Sequence, residues 1–545
     1  MGSAMTADAK AAFAVKSAAR VRVRSLFLAF LAVGCFGLAL RFAGFPARVF
    51  FTDEGVTAMR TSGHTNAEII SNLVDGRVHT IADLKSFAGY GPRGSTADVI
   101  RSLAKEDAQH PPLYYVLTAW WTSTVGFSIT SLRLLAVLFG CIVPFAAAWL
   151  CFELYGTRLA AALGFAISSV SPVLVLYSQQ AREYGLWAAM IALSTAVLLR
   201  AARSSSPGWW VAYAFCATAG MYTDTLFAGV LVSHAIYAAC LLRGVRLRAF
   251  ICALGFTAIA FAPWAVEIVR GSRMIAVQNR WSATPWPARM LVEKWIFNAG
   301  TTFFDLEYVR AAASIVLVPI FALVAAALYW NFTRAALQRK IMTLSLVLVP
   351  VAMCLPDFVL HQHRSSVTRY GMALWIALIV CVAGFLAGRI RRSTKRQLWA
   401  AGAAALLAVS AVSTIVDVRS PVGWDNREDG HNFAIAGALN KQPLPLVVVP
   451  GQLGRLVALS AYLNPAIHIQ MIPFRTIAPP KPGYARAVLF ARPVDAAAFR
   501  QHGMPLAVEY ETTERNAQVR RFQGSDDQTR YLSVWRFERY AGTPP

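Results

Sequence analysis

Residues 25–55 read SLFLAFLAVGCFGLALRFAGFPARVFFTDEG and contain the two features that decide the fold of this chain. Residues 25–40 form an apolar segment typical of a membrane span, and the adjacent carboxylates Asp53 and Glu54 follow it. A basic run precedes the segment and contains Lys16, Arg20, Arg22 and Arg24. Because basic residues favour the cytoplasmic side of a membrane, we expect the segment to start inside and the acidic pair to face outside.

The composition places most of the chain in lipid. Hydrophobic residues make up 57% of the 545 residues and charged residues 15%, whereas soluble domains have about 25% charged residues. The mean hydropathy is +0.48. The formal net charge of +24 would favour a nucleic-acid partner in a soluble protein, but here the basic residues cluster in short loops between apolar segments. We therefore expect a membrane protein without a nucleic-acid partner.

Further apolar segments bring the prediction to about eleven transmembrane helices. They cover approximately residues 132–153, 159–177, 184–200, 209–222, 225–242, 249–268, 311–330, 341–359, 370–388 and 398–416. The aromatic stretch 113–127 is too short, because a span needs about 20 residues, and we expect it to lie in the membrane surface. If it did cross, every later basic loop would face outward, so the charge distribution favours eleven spans.

The sequence divides into three regions. Residues 1–24 are a basic cytoplasmic N-terminus, residues 25–416 are the transmembrane region, and residues 417–545 have the composition of a soluble domain. The transmembrane region has two long outer loops, at 42–131 and 269–310. In the tail we predict strands at 446–449, 467–472, 487–490 and 532–537 and a helix at 452–463. The predicted fold class is an all-α polytopic membrane protein with a C-terminal extracytoplasmic α/β domain.

Four polar groups fall on the same predicted side of the membrane. They are Asp53-Glu54, His110, residues 177–184 and residues 361–370. A carboxylate can accept a proton from a hydroxyl or bind a metal, and arginines such as Arg182 and Arg369 can hold a phosphate through paired hydrogen bonds. A structural interpretation is also open, in which Arg182 only pairs with Glu183 and Arg369 only reaches the membrane interface. Together the groups predict an outward-facing cavity for a lipid-linked phosphate.

These motifs resemble those of the bacterial GT-C glycosyltransferases of the protein-mannosyltransferase and aminoarabinose-transferase type. The resemblance covers about residues 20–420 and rests on Asp53-Glu54, HPPLYY at 110–115, YSQQAREY at 177–184 and Arg369-Tyr370. It implies a multi-span fold, an extracytoplasmic site and a sugar donor carried on a polyprenyl phosphate. It also implies that Asp53 is the catalytic carboxylate, with Glu54 beside it. The residues expected near the donor phosphate or the cavity are His110, Tyr177, Gln180, Arg182, Tyr184, Arg369 and Tyr370.

Two positions depart from the family pattern. Thr57 stands where relatives often carry an aromatic residue. The turn Tyr222-Thr223-Asp224 stands where relatives often carry histidine or lysine after threonine. The second departure leaves open both a phosphate contact at this turn and the identity of the sugar.

The predicted function is transfer of a sugar from a polyprenyl-phosphate donor to an acceptor hydroxyl on the periplasmic side of the bacterial inner membrane. The acceptor, whether glycan, lipid or protein, stays open. A divalent metal, Mg²⁺ or Mn²⁺, also stays open; Asp53 and Glu54 would bind it, and we expect no other cofactor. Two alternatives are a transporter or flippase of lipid-linked glycans and a polysaccharide polymerase or ligase. The sequence shows no internal repeat, which argues against the many transporters that are built from two.

Overall fold

The structure is a computed structural model that describes residues 25–305, 310–352, 354–423, 429–510 and 533–537, so the predicted basic region 1–24 lies outside the described residues. Eight of the described helices are long and apolar enough to cross a membrane. They are Ser25–Ala47, Ile129–Tyr155, Tyr184–Arg203, Gly244–Arg270, Ile315–Arg334, Leu337–Leu360, Thr368–Arg392 and Arg396–Arg419. A bent pair, Arg158–Val170 and Pro172–Ser178, counts as a ninth if its two halves form one span.

The two remaining predicted spans correspond to shorter helices. Gly208–Thr223 has 16 residues and Phe227–Leu241 has 15. All eleven predicted spans therefore coincide with described helices, although only eight or nine have the length expected of a membrane crossing. Residues Leu113–Val125 form a helix of 13 residues, which is too short to span, as predicted. The predicted fold class of a polytopic helical membrane protein is confirmed.

The bend in the broken pair follows from the sequence and from one buried arginine. Pro172 is the first residue of the second helix, and its ring cannot continue the hydrogen bonds of the helix before it. The fully buried Arg41 donates hydrogen bonds from Nη1 to the carbonyl of Ser169 at 2.6 Å and from Nη2 to that of Ser168 at 2.9 Å. These carbonyls lie at the end of the first helix, where a cation is favourable. Arg41 therefore attaches the first span to the bend between Arg158–Val170 and Pro172–Ser178.

The first outer loop folds into short helices rather than an irregular segment. Their bounds are Thr52–Thr61, Asn66–Leu73, Ile81–Lys85, Ser86–Tyr90 and Thr96–Glu106. Three of them begin with a capping box, in which the side chains of Thr65, Thr80 and Ser95 accept a hydrogen bond from the backbone N–H three residues later. The second outer loop contains Ser272–Gln278, Asn279–Ala283 and Ala288–Gly300. The short helix Arg364–Ser366 precedes the span Thr368–Arg392, and a second one, Thr368–Gly371, forms its first turn.

A six-stranded sheet stands beside the helical bundle. Its strands are β1 (His79–Thr80), β2 (Leu446–Pro450), β3 (His468–Ile472), β4 (Ala487–Ala491), β5 (Leu506–Tyr510) and β6 (Ser533–Phe537), in the order β1-β3-β2-β4-β6-β5. β2 runs parallel to β3 and β4, and the other pairs are antiparallel. The helices Asn432–Asn440, Leu453–Ser460 and Pro493–Gln501 connect or follow these strands. β2, β3, β4 and β6 lie where strands are predicted, whereas β1 and β5 are not predicted.

The sheet joins the first outer loop to the tail. In β1, Thr80 pairs with His468 of β3, so the edge strand comes from the outer loop. The core on one face of the sheet contains Val447 and Ile469 of the strands together with Met59 and Ile81 of the loop. The division of the chain near residue 417 remains a prediction, but the hydrophobic core of the sheet is not confined to the tail.

Candidate active site

The acidic pair lies in the first turn of the helix Thr52–Thr61, which we call the Asp53 helix. This turn favours carboxylates, because the free backbone N–H groups of a helix start carry partial positive charge. Successive residues of a helix point about 100° apart, since 3.6 residues make one turn. The Asp53 side chain is accordingly 36% exposed, while Glu54 is fully buried. The two neighbours therefore face different surroundings.

Glu54 is held inside the protein by Arg133. Nε of Arg133 donates to Oε1 of Glu54 at 2.8 Å and Nη2 donates to Oε2 at 2.5 Å. The backbone N–H of Ala181 also donates to Oε1, at 2.8 Å. The remaining donors of Arg133 reach the carbonyls of Phe45, Arg48 and Val49. Glu54 thus attaches the Asp53 helix to the span Ile129–Tyr155.

Arg133 is absent from the residues predicted for the site. The signal that would have found it is its position inside the apolar segment 132–153, where an ionisable residue usually has a specific partner.

Asp53 faces Arg369 across the site. Nη2 of Arg369 lies 3.6 Å from Oδ2 of Asp53. The guanidinium of Arg369 also lies 5.7 Å from the ring centre of Tyr184 and 5.6 Å from that of Tyr370. Four of the residues predicted from sequence are therefore in contact, although Asp53 and Arg369 are far apart in the chain.

A second guanidinium, that of Arg182, also lies against Tyr184. Arg182 is 5.7 Å from the ring centre of Tyr184 and 6.0 Å from that of Tyr115, and it is only 3% exposed. Its Nη1 donates to Oγ1 of Thr57 at 3.3 Å. Thr57, which stands where relatives often carry an aromatic residue, therefore contacts a residue of the site. The hydroxyl of Tyr184 is buried and has no hydrogen-bond partner within the described part of the chain. Buried hydroxyl groups are normally satisfied, so this one is a candidate contact for a bound molecule.

His110 joins Arg182 through a shared carboxylate. Oε1 of Glu183 lies 3.0 Å from both Nη2 of Arg182 and Nδ1 of His110. Burial opposes the charged form of Glu183, but Arg182 and His110 together lower its pKa to about 2. Burial likewise opposes a charged His110, but Asp107 and Glu183 raise its pKa above the ordinary value of 6.5 despite the charge of Arg182. The structure therefore places two cations around one carboxylate.

Tyr177 and Gln180 complete the segment 177–184. The rings of Tyr177 and Tyr184 meet edge to face, with centres 5.1 Å apart. Gln180 is buried, and its backbone carbonyl accepts a hydrogen bond from the N–H of Arg182 at 2.7 Å. Its neighbour Gln179, which is not among the predicted site residues, accepts from Nε of Arg48 at 2.7 Å and donates to the carbonyl of Ala43 at 2.8 Å. Gln179 thus ties this segment to the end of the first span.

The turn at Asp224 lies near the same charges. Oδ1 of Asp224 accepts a hydrogen bond from the N–H of Leu226 at 2.7 Å, which is a local turn contact. Burial and the nearby charge of Glu183 raise the pKa of Asp224 to about 6. The turn therefore adds a carboxylate to the edge of the site rather than a cation.

The acidic pair does not fit a metal held by protein ligands. Both oxygens of Glu54 are engaged by Arg133, and Asp53 has Arg369 beside it. Within the described residues, no group of three or more histidine, cysteine, aspartate or glutamate side chains is arranged to hold a metal ion. His363, in the polar group 361–370, also has protein partners. Its ring stacks on Trp286 with centres 4.5 Å apart, and its Nδ1 lies 2.8 Å from the carbonyl oxygen of Thr284.

Comparisons with known proteins support the predicted fold class of a polytopic helical membrane protein. Residues 109–267 match the sequence model of the family described as Dolichyl-phosphate-mannose-protein mannosyltransferase. This range includes His110, Arg182 and Tyr184 but not Asp53 or Arg369. A search of curated protein sequences found no match.

The solved structures that are similar to the chain include the following two. The crystal structure of ArnT from Cupriavidus metallidurans bound to undecaprenyl phosphate superposes with a TM-score of 0.54 and 14% sequence identity, over 96% of this chain and 99% of that one. The Archaeoglobus fulgidus oligosaccharyltransferase, tethered to an acceptor peptide, has a TM-score of 0.45 and 11% identity, over 82% of this chain and 64% of that one. The conclusion about the fold rests on the first of these structures. The chain is a multi-pass membrane protein with the GT-C glycosyltransferase fold, which confirms its resemblance to the protein-mannosyltransferase and aminoarabinose-transferase type.

Proposed function

We propose that the protein is an integral membrane glycosyltransferase, which moves a sugar from a polyprenyl-phosphate-linked donor to an acceptor hydroxyl. The reaction would take place on the periplasmic side of the bacterial inner membrane. The observation that carries this proposal is the pairing of the partly exposed Asp53 with Arg369 at 3.6 Å. It sets a group that can accept a proton beside a group that can hold a phosphate.

Asp53 is the proposed general base. An acceptor hydroxyl is a weak nucleophile until its proton is removed, and a positioned carboxylate contributes about 10²–10⁴-fold in rate. As the acceptor oxygen bonds to the anomeric carbon of the donor, its proton passes to Asp53. The bond between that carbon and the phosphate oxygen breaks, and its electron pair stays on the phosphate. The products are the glycosylated acceptor and a free polyprenyl phosphate.

Arg369 and Arg182 are proposed to hold the departing phosphate. The negative charge of this group grows as the bond breaks, so fixed cations nearby stabilise the transition state more than the ground state. Arg369 is the nearer to Asp53, and both guanidinium groups lie 5.7 Å from the ring centre of Tyr184. His110 adds a second positive charge beside Arg182 through their shared carboxylate. The chain thus offers two guanidinium groups beside one aromatic ring.

The aromatic residues are proposed to bind the uncharged part of the donor. Tyr184 and Tyr370 both lie against Arg369, and Tyr177 supports Tyr184 from its edge. The unsatisfied hydroxyl of Tyr184 would hydrogen-bond to the sugar or the phosphate. Gln180 is proposed to support this segment, because its backbone carbonyl accepts a hydrogen bond from the N–H of Arg182.

Undecaprenyl phosphate is the first carrier to test, because the structural neighbour with the same fold was solved with this lipid. Full-length protein in lipid nanodiscs would be incubated with undecaprenyl-phosphate-linked mannose or aminoarabinose and with extracted cell-envelope material as the acceptor. We expect release of free undecaprenyl phosphate, which mass spectrometry would measure. Envelope glycans of cells with and without the gene would identify the natural product.

The variant Asp53→Asn tests the base directly. It keeps the size of the side chain and removes its ability to take a proton, so turnover at saturating donor should fall by about 10²–10⁴-fold. Asp495→Asn is a matched control, because its carboxylate pairs with Arg492 in the tail. Turnover of Asp53→Asn equal to that of the control would remove Asp53 from its proposed role. A parent protein that neither binds undecaprenyl phosphate nor releases it from any donor would overturn the proposed function.

A further inference from the structure

The Asp53 helix receives its N-terminal cap from the tail of the chain. Oδ2 of Asp429 accepts a hydrogen bond from the backbone N–H of Thr52 at 3.0 Å, and Oδ1 accepts one from Oγ1 of Thr52 at 3.0 Å. The N-cap residue is Phe51, whose side chain has no oxygen to accept such a bond. Asp429 is only 6% exposed and lies 377 residues further along the chain. The helix start is thus completed by a distant residue.

Other tail residues pack against the start of the Asp53 helix and the residues just before it. Oη of Tyr462 lies 2.5 Å from the backbone nitrogen of Phe50. Gly55 lies so close to the helix Leu453–Ser460 that an added Cβ would approach Cγ1 of Val457 to 3.1 Å. Gly454, in that helix, lies equally close to Thr52, since its added Cβ would be 3.1 Å from Cγ2. Close backbone contact of this kind restricts how the Asp53 helix can shift.

The two neighbours of Asp53 are therefore fixed from different sides. Thr52 is bound by Asp429 of the tail, and Glu54 is bound by Arg133 of the span Ile129–Tyr155. Asp53 lies between them and keeps 36% of its side chain exposed. Catalytic groups need such support, because a small displacement of a reacting group costs a large part of the rate.

We propose that Asp429 is a positioning residue for Asp53, so that the tail is a working part of the active site rather than an independent appendage. This inference rests on the proposed function, since it assigns Asp429 a role through the proposed base. Loss of the Asp429 carboxylate would free the first turn of the Asp53 helix and lower turnover. It would leave binding of the lipid phosphate unchanged, because Arg182 and Arg369 do not contact Asp429.

Hydrogen exchange in the full-length protein tests the cap without any substrate. In Asp429→Ala we expect the amides of residues 51–55 to exchange roughly tenfold faster, in line with the usual strength of a helix cap. Asp429→Asn should restore slow exchange, because the amide oxygen can still accept from the Thr52 N–H. Asp495→Ala is the control in the same tail, where the carboxylate pairs with Arg492 three residues earlier.

Kinetics separate positioning from simple stability. With the donor used for the parent protein, Asp429→Ala should lower kcat at least fivefold with little change in the donor KM or in the Kd for undecaprenyl phosphate. Asp429→Asn should recover most of kcat. Parent-like exchange in Asp429→Ala, or faster exchange with unchanged kcat, would overturn the proposal.

Two further outcomes are distinguishable. If the parent protein transfers no sugar, the proposed function fails, while the exchange data still decide whether Asp429 caps the helix. If Asp429→Ala does not fold, Thr52→Val serves in its place, because it removes one of the two bonds and keeps the backbone one. We expect a smaller increase in exchange and a smaller loss of kcat in that variant, and parent-like values of both would overturn the proposal.

Discussion

Asp53 and Glu54 are adjacent in the chain, but substitution of each should have a different effect. Glu54→Gln leaves the buried guanidinium of Arg133 without its counter-charge, and such a loss destabilises a protein by about 3–5 kcal/mol. Asp53→Asn changes a partly exposed group and should shift stability by only about 0.5 kcal/mol. Thermal unfolding of the purified variants would compare them. Equal unfolding temperatures would show that the Glu54–Arg133 pair does not hold the Asp53 helix.

Arg369 should not be replaceable by lysine. Its planar group contacts Asp53 and lies against both Tyr184 and Tyr370, whereas an ammonium offers neither the paired donors nor the flat face. We expect Arg369→Lys to weaken binding of undecaprenyl phosphate about tenfold, the loss typical of one hydrogen bond to a charged group. Arg364→Lys is the control, because Arg364 also lies against Tyr370 and is exposed. Similar Kd values for both variants would remove Arg369 from the phosphate site.

At the scale of elements, His110 links the segment before the helix Leu113–Val125 to the segment 177–184. Its pKa is raised above 6.5 in the folded protein, so the charged form stabilises the fold below about pH 6.5. That stabilisation is lost as the pH rises through the higher folded pKa. We therefore expect the unfolding temperature of His110→Gln to fall furthest below that of the parent below about pH 6.5 and to approach it as the pH rises through the folded pKa. A difference independent of pH would contradict the charged pair with Glu183.

Elements with a local signal are predictable from the sequence, and contacts between distant elements are not. The transmembrane segments and the buried strand Leu446–Pro450 consist of apolar residues, because they are surrounded by lipid or by the protein core. Their positions can therefore be predicted from the sequence. The motif at 177–184 gives Arg182 and Tyr184 by resemblance. The pair of Glu54 and Arg133 and the cap by Asp429 join residues far apart, and no periodic pattern marks such contacts. β1 has only two residues, which is too short to show alternation.

For the whole molecule, the distribution of basic loops predicts the orientation in the membrane. Arg246 and Arg392 should face the cytoplasm, and Arg77 and Lys441 should face the periplasm. All four side chains are exposed. Single cysteines placed there, in a variant without the native cysteines, should therefore react equally well with a maleimide that can reach both sides of the membrane. In intact cells, a membrane-impermeant maleimide should label only positions 77 and 441. Labelling at 392 but not at 441 would contradict the predicted orientation.

The edge strand β1 has a consequence for how the protein is made. Its partner β3 follows about 390 residues later, so at about 5–20 residues per second the ribosome needs roughly 20–80 s to supply it. In the predicted orientation, the first outer loop is exported before that time and exposes the apolar side chains that later join the sheet. The nascent protein is thus open to proteases and to chaperones until its last strands arrive. A chain released early would carry every predicted site residue and still lack a finished Asp53 helix.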